Sequence, residues 1–190
     1  MKLTFTDFEI QPNYFLHPSE LHGARHTYRV MCAVLALGDA VGLEHEKRLA
    51  FFAALVHDMA RTHDGLSLSH GPRAARIKVP QFMYLFRQYG LLDEDIETIK
   101  TAVRNHSRYM ELKKTHPHYL TTALLKDADA LDRCRLGEND LNKRYLRFES
   151  TFDMVAQAHQ LYHESEKIPS ISFEQMFRLA EKVYHKDLNL

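Results

Sequence analysis

The sequence predicts an all-α fold, arranged as a helical bundle. Apolar residues recur every three or four positions through most of the chain, which is the period of a helix with one buried face. Residues that cap or break helices, such as Gly42, Pro80 and Gly90, separate these stretches. The 190 residues, 45% of them hydrophobic, are enough for one core. We therefore expect residues 1–190 to form a single domain, with the motifs within about residues 19–147 and C-terminal helices over 150–188 packed on that part.

The overall charge argues against two classes of partner. The 25 basic and 25 acidic side chains cancel, so neither a nucleic-acid duplex nor an anionic membrane is expected as the main partner. The N-terminus lacks the apolar core of a signal peptide, and no segment approaches the roughly 20 apolar residues of a membrane span. Cys32 and Cys134 are isolated and are expected to be reduced thiols. The sequence thus predicts a cytoplasmic protein.

The first predicted helix carries two histidines on its buried face. Ser19 is its expected N-cap, and Gly42 follows its last residues as a C-terminal glycine should. His22 and His26 lie one turn apart on the apolar stripe of this helix. A single histidine in such a place is more often a hydrogen-bonded core imidazole than a ligand. The two histidines therefore need a partner from elsewhere in the chain before they indicate a site.

The second predicted helix, Glu44–Arg61, ends in a His-Asp pair. Its residues 50–56 are apolar on every face, which indicates a buried helix rather than a buried strand. His57 and Asp58 follow, and an imidazole and a carboxylate on one rigid support can point at the same metal ion. Alone, such a pair is more often an ordinary polar helix end. The connection to the first helix is short, so we expect antiparallel neighbours, with the histidines of the first helix beside this pair.

Two further histidines are predicted at helix ends in the middle of the chain. A helix is expected to begin near Pro72, which places His70 at a helix N-terminus, where backbone N–H groups attract anions. A short helix, Gln81–Tyr89, is expected next. The helix Asp93–Ser107 is amphipathic, and His106 continues its apolar face. His70 and His106 are therefore additional candidates for the same site.

A carboxylate-rich helix is predicted from Tyr119 to about Arg135. Asp127, Asp129 and Asp132 lie among leucines and alanines, where carboxylates are normally paired or coordinated. The helical period does not choose between these three residues. A salt-bridged helix face, with the neighbouring lysine and arginines as partners, is the alternative.

Two C-terminal helices are predicted at Thr151–Glu164 and Ser172–Lys186. Ser172 and Gln175 have the spacing of a capping box. We expect these helices to cover the far side of the bundle or to supply the face of a homodimer.

The order of these candidates resembles the H…HD…D pattern of the HD superfamily of metal-dependent phosphohydrolases, which are built on the HD-domain helical bundle. His26 supplies the first element, and His57-Asp58 supplies the second. The last ligand of that family commonly lies in an A-D-x-L context, so the resemblance favours Asp129, with Asp127 as the fallback. A closer likeness is to a bacterial subgroup with HGxxHxxRV, HDxxR…DG…HG and KDADALDR elements. These elements appear here as His22-Gly23, Arg29-Val30, Arg61, Asp64-Gly65, His70-Gly71 and Lys126–Arg133.

The resemblance implies a divalent metal held by two imidazoles and two carboxylates. The implied ligands are His26, His57, Asp58 and Asp129. Such a mixed nitrogen and oxygen set suits Mn²⁺, Fe²⁺, Mg²⁺, Co²⁺ or Ni²⁺. His70 and His106 match places where relatives supply histidines to a second metal or to the substrate phosphate. The candidates for binding the phosphoryl group or moving a proton are His22, Arg29, Arg61, His70, His106 and Lys126.

The implied activity is hydrolysis of a phosphate mono- or diester of a small molecule, with a nucleotide among the candidates. A GYP element is missing from the place that would mark a cyclic-dinucleotide phosphodiesterase, so that substrate is not expected. Two alternatives stay open. One is a phosphodiesterase that needs no metal and uses His22, His26 and His106 as acids and bases. The other is a non-catalytic HD domain that senses a nucleotide or a metal.

Overall fold

The computed structural model describes residues 3–137 and 140–190, and within these ranges the chain is all-α, as predicted. Nine α-helices and four short 3₁₀ turns account for the regular structure, and these ranges contain no β-strand. The helices are α1 (Ala24–Val41), α2 (Glu44–Val56), α3 (His70–Gln81), α4 (Met83–Gln88), α5 (Asp93–His106), α6 (Tyr119–Leu131), α7 (Glu149–Asp153), α8 (Val155–Glu166) and α9 (Phe173–Tyr184). Across the described ranges, we find no helix that combines the length and the apolar character needed to cross a membrane.

The centre of the bundle is α2, which packs against α1, α5 and α6. Every residue from Leu49 to Val56 is buried, as the apolar run on all faces predicts. Gly42 ends α1 in the left-handed conformation (φ 69°), which costs glycine little because it has no Cβ. The start of α1 lies beside the end of α2, since the rings of His26 and His57 meet there. The predicted antiparallel pairing of these helices is therefore confirmed.

Two helix boundaries differ from the prediction, and both differences lie beside the histidines. The first helix begins at Ala24 rather than after Ser19, because the backbone at Gly23 is extended (φ −86°, ψ −160°) and interrupts the helix there. The second helix ends at Val56 rather than Arg61. Beyond it the backbone tightens into turns in which Met59 N donates to Val56 O and Arg61 N donates to Asp58 O.

Other boundaries shift by smaller amounts. Helix α3 begins at His70, as expected from Pro72, but it continues through Pro80, so that the short helix predicted at Gln81–Tyr89 is reduced to α4. Helix α6 ends at Leu131, and a 3₁₀ segment continues it to Leu136. The helix predicted over Thr151–Glu164 is divided into α7 and α8.

The two ends of the chain pack on the bundle through aromatic side chains. The N-terminal arm contains two 3₁₀ turns, and Phe8 in the first turn contacts Phe51 and Phe173. Helix α9 packs against α1 and α8, and the predicted capping box of Ser172 and Gln175 at its start is confirmed. A substitution of Phe173, which packs against both ends of the chain, can therefore test the prediction that residues 1–190 form one domain.

Replacing Phe173 by Ala should lower the free energy of unfolding by about 3–5 kcal/mol, because its ring is fully buried between both chain ends and α2. If the chain is one domain, calorimetry and circular dichroism should still report a single, earlier transition. Phe152→Ala is the control, since that ring is 42% exposed and its loss should cost less than about 1 kcal/mol. Two separate transitions in the Phe173 variant would contradict the one-domain prediction.

Candidate metal centre

Five histidines and two aspartates from six parts of the fold converge at one end of α2. They are His22 before α1, His26 in α1, His57 and Asp58 after α2, His70 at the start of α3, His106 at the end of α5 and Asp129 in α6. All of these side chains are buried except Asp129, whose side chain is 29% exposed. Each of these side chains therefore lies at a helix end or on a helix that packs against α2. This packing holds the group rigidly.

The rings of His26 and His57 point their Nε2 atoms at each other, 3.2 Å apart. The other nitrogen of each ring is already engaged. Nδ1 of His57 lies 2.6 Å from the carbonyl oxygen of Ala54, which can only accept, so this nitrogen carries the proton. Nδ1 of His26 lies 2.7 Å from a carboxylate oxygen of Asp132 and donates to it. Both rings consequently turn Nε2, the nitrogen that remains for a metal ion, toward the same point.

Two carboxylates complete this first group of acceptors. Asp129 Oδ1 lies 3.4 Å from His26 Nε2, and Asp58 Oδ2 lies 3.5 Å from the same nitrogen. Burial lowers the pKa of His57 to about 3, so its ring stays neutral. Burial alone would raise the pKa values of both carboxyls. Hydrogen bonds from histidines such as His22 nevertheless hold the pKa of Asp58 below its ordinary range, and the Arg135 guanidinium contributes to the same effect on the pKa of Asp129. Two imidazole nitrogens and two carboxylate oxygens thus face one another, and a divalent cation fits this donor set.

A second group of acceptors lies on the other side of Asp58. The Nε2 atoms of His70 and His106 are 2.8 Å apart, and Asp58 Oδ1 lies 3.0 Å from the first and 3.6 Å from the second. The Nδ1 atoms of these rings face the carbonyl oxygens of Ser67 and Val103 at 2.9 and 2.7 Å. Asp58 therefore stands between two histidine pairs, with one carboxylate oxygen toward each.

A close approach of α3 and α5 makes the second histidine pair possible. A Cβ on Gly71 would lie 2.6 Å from both Ser107 Oγ and the Val103 carbonyl oxygen, so only glycine fits at this position. The predicted placement of His70 at a helix start and His106 at a helix end is confirmed. Burial lowers the pKa of His70 as well, which favours the neutral ring.

Two of the predicted substrate-binding residues contact Asp58: His22 belongs to the cluster, and Arg61 lies beside it. His22 Nδ1 lies 2.7 Å from Asp58 Oδ2 and 3.4 Å from Arg135 Nη2. Arg61 places Nη1 3.6 Å from Asp58 Oδ1, and its Nη2 donates to the carbonyl oxygen of Gly65. Its Nε is buried and has no hydrogen-bond partner among residues 3–137 and 140–190. A buried guanidinium donor without an acceptor is uncommon and leaves a position for an anion oxygen.

Arg29 and Lys126 were predicted at the phosphoryl group, but the structure engages both elsewhere. Arg29 donates to Asp132 and to Glu166, while Lys126 Nζ donates to Glu111 Oε1 at 2.6 Å and to a backbone carbonyl. Within the described part of the chain, neither side chain forms a hydrogen bond or an ion pair with the cluster. The reason is that closer carboxylates compete for these cations.

The fallback ligand, Asp127, has a different role in the structure. Its Oδ2 accepts hydrogen bonds from the backbone N–H groups of Arg147 and Phe148 and from the Thr151 hydroxyl, and its Oδ1 accepts from Arg147 Nη1. These bonds occupy the carboxylate and fix the chain that leads into α7. Of the two alternatives, only Asp129 points at the histidines.

Asp132 was one of three candidate carboxylates in the sequence, but the sequence indicated no role for it at the site. The structure places Asp132 Oδ2 against Nδ1 of His26, on the side of the ring away from His57. Asp132 follows Asp129 by three residues, so the sequence indicates that the two carboxylates lie about one helical turn apart. Only the position of α1 shows that Asp132 contacts the ring of His26. Glu166 was not singled out at all, because it lies far along the chain from the motifs.

Comparison with known protein families supports the pattern of ligands. A family model described as the HD domain matches residues 23–134, which is more than half of the chain. The match includes all six of the converging residues from His26 to Asp129 and ends before α7. It does not test the motifs of the bacterial subgroup, which stay a prediction. Neither a curated protein nor a solved structure matches the chain significantly.

Asn substitutions at Asp127 and Asp129 should have opposite effects. Asp129→Asn should lower metal affinity by at least about 10-fold with little change in stability, because it removes a charged acceptor from the cluster. Asp127→Asn should lower the free energy of unfolding by about 3 kcal/mol, because it breaks a buried ion pair, and should leave the metal content of folded protein unchanged. Elemental analysis and thermal unfolding of metal-free protein measure the two effects. Loss of metal from folded Asp127→Asn, with retention in Asp129→Asn, would reverse the assignment.

Proposed function

Because the chain belongs to the HD superfamily of metal-dependent phosphohydrolases, we propose that it hydrolyses a phosphate mono- or diester of a small molecule, with nucleotides among the candidate substrates. The observation that carries this proposal is the convergence of imidazole nitrogens and carboxylate oxygens on both sides of Asp58. Such a buried set of acceptors costs free energy unless a cation binds there. It therefore supports metal-dependent chemistry over a purely structural cluster.

The first group of acceptors would hold one divalent ion. Its members are His26, His57, Asp58 and Asp129. The second group, formed by His70, His106 and the other oxygen of Asp58, would hold a second ion or contact the substrate phosphate. The nitrogen and oxygen donors suit Mn²⁺, Fe²⁺, Mg²⁺, Co²⁺ or Ni²⁺. A divalent cation bound at such a site lowers the pKa of water and polarises a phosphoryl oxygen.

His22 is the residue we assign to proton transfer. Asp58 holds the ring through Nδ1, which fixes its orientation at the edge of the cluster. The described residues supply no hydrogen-bond partner for its Nε2, so that nitrogen can give a proton to a leaving oxygen or take one from the attacking water. A positioned imidazole typically contributes about 10²–10⁴-fold to such a step.

Arg61 is the residue we assign to the phosphoryl oxygens. Its guanidinium lies beside Asp58, and its buried Nε has no acceptor among the described residues. A phosphoryl oxygen would satisfy this donor, and a charge-assisted hydrogen bond is stronger than a neutral one. The Arg61 guanidinium would also stabilise the negative charge that develops on the phosphoryl oxygens during hydrolysis.

The metal content of the purified protein tests the proposed function directly. We expect about one transition-metal ion or more per chain, and a large loss in Asp58→Ala, because Asp58 contributes to both groups of acceptors. Asp187→Ala is the control, since that carboxylate is exposed and remote from the cluster. Elemental analysis by mass spectrometry gives the stoichiometry. A screen of phosphate esters with the identified metal, and with chelated protein, then measures activity.

No bound metal in the parent protein, even after incubation with Mn²⁺ or Ni²⁺, would contradict the metallohydrolase mechanism. Hydrolysis that persists in metal-stripped protein would favour the histidine-based phosphodiesterase. Metal binding without hydrolysis of any phosphate ester would favour a sensor.

Arg61→Met should weaken competitive inhibition by inorganic phosphate by about 10-fold or more, because it removes charged hydrogen bonds to the anion. The metal stoichiometry should not change. Arg73→Met is a matched control: Arg73 also donates to the turn after Asp58, through Ala60 O and Thr62 Oγ1, but it does not contact the cluster. Equal inhibition constants for the Arg61 variant and the parent would contradict a phosphate-binding role.

A further inference from the structure

A line of charged side chains runs from the back of His26 to the surface of the protein. It begins with Asp132, whose Oδ2 lies 2.7 Å from His26 Nδ1. Both side chains are buried, with 0% and 4% of their surface exposed. Asp132 accepts the Nδ1 proton of the ring, and this hydrogen bond turns Nε2 toward His57 and Asp58. A carboxylate in this position also makes the imidazole a stronger base, and hence a better ligand.

Arg29 fixes the carboxylate of Asp132 in two places. Its Nε donates to Oδ1 at 2.5 Å, and its Nη2 donates to Oδ2 at 3.1 Å. This is the bidentate geometry that gives an arginine–carboxylate pair its directionality. The Asp132 carboxylate can therefore rotate little about its own axis, and the oxygen that faces His26 stays in place.

The third nitrogen of the Arg29 guanidinium is held by α8. Nη1 donates to Glu166 Oε1 at 2.8 Å and to Ser165 Oγ at 3.2 Å, and the guanidinium lies 4.9 Å from the ring centre of Tyr162. All three contacts come from the last two turns of α8. Arg25 holds the same helix end by donating to Glu166 Oε2 and to the Ser165 carbonyl.

Glu166 also has an electrostatic effect on this line. Arg29 is buried, so its positive charge acts strongly on Asp132 and reduces the ability of that carboxylate to attract the His26 proton. The negative charge of Glu166 on the opposite side of the guanidinium offsets this effect. Removal of Glu166 would leave the full charge of Arg29 on Asp132 and would free one arm of the guanidinium.

We propose that Asp132, Arg29 and Glu166 form a positioning relay that sets the orientation and proton position of His26 as a metal ligand. The relay makes α8 part of the metal centre, although α8 lies beyond residues 23–134 that match the family. This inference rests on the proposed function, because it requires His26 to bind a metal. Each of the three residues acts through the next one, and only Asp132 contacts His26.

A buried pair of the same kind provides an internal comparison. Asp127 and Arg147 also form a buried arginine–carboxylate pair, yet it leads to the start of α7 and not to a histidine. If a buried arginine–carboxylate pair in the α6 region affected metal binding only by stabilising the helix, loss of either pair should change the metal affinity equally. If the relay operates, only the Asp132 pair should change the affinity for metal.

The test measures Co²⁺ affinity and the visible spectrum of bound Co²⁺ in Asp132→Asn, Glu166→Gln and the double variant. Asp132→Asn should lower the affinity by about 10–100-fold and shift the Co²⁺ bands, because the ligand loses its carboxylate partner. Glu166→Gln should lower it by about 2- to 5-fold, as expected for a partly exposed charge. The double variant should be no worse than Asp132→Asn alone, because Glu166 acts through Asp132.

Two controls separate the relay from general stability. Glu164→Gln changes a carboxylate on the same helix that accepts from Gln160 rather than from Arg29, and it should leave the Co²⁺ affinity unchanged. Asp127→Asn should destabilise the metal-free protein without a shift of the Co²⁺ bands. Nitrogen-15 NMR of the metal-free protein should show His26 protonated at Nδ1 in the parent and a changed signal in Asp132→Asn.

Each outcome decides the matter. Parent-like Co²⁺ affinity in folded Asp132→Asn, or additive losses in the double variant, would overturn the relay while leaving the proposed function intact. A parent protein that binds no metal would overturn the proposed function and the relay together. Should Asp132→Asn fail to fold, Glu166→Gln carries the test, because its side chain is 42% exposed, and an unchanged affinity there would overturn the proposal.

Discussion

Two buried imidazole nitrogens that face each other at the end of α2 set the central constraint on this structure. His26 Nε2 and His57 Nε2 are 3.2 Å apart, and each ring has its proton on the other nitrogen. Lone pairs in this arrangement repel one another unless a cation lies nearby, and the carboxylates around them add to that need. The helix ends that meet here, the turns after α2 and the side chains behind each ring all serve to keep these acceptors in position.

Helix α2 supplies the rigid support for this arrangement. It is buried on every side, so packing fixes its axis, and the tight turns after Val56 then aim His57 and Asp58 in different directions. As a result, His57 meets the ring from α1, and Asp58 stands between the two histidine pairs.

The three aspartates of the α6 region illustrate how neighbours assign roles to chemically identical groups. Asp127 is occupied by Arg147 and two backbone N–H groups, Asp129 faces the imidazoles, and Asp132 supports His26 from behind. A helix turns by about 100° per residue, so these positions point to different parts of the molecule. Each carboxylate pairs with whatever donor or cation the fold places there. Their different contributions to stability and to the site follow from these partners.

The sequence by itself determined the all-α class, the burial of α2 and the meeting of His26 with His57 and Asp58, because helical periods and short connections act over a few residues or a few turns. It also placed His70 and His106 at helix ends. Only the tertiary structure decided between Asp127 and Asp129, drew Arg29 and Lys126 away from the cluster, and joined α8 to His26. Those outcomes depend on side-chain partners that are far apart in the chain, such as Arg29 and Asp132 at a separation of 103 residues. Local periodicity carries no information about which distant charge a side chain meets, so no reading of spacing alone determines these pairs.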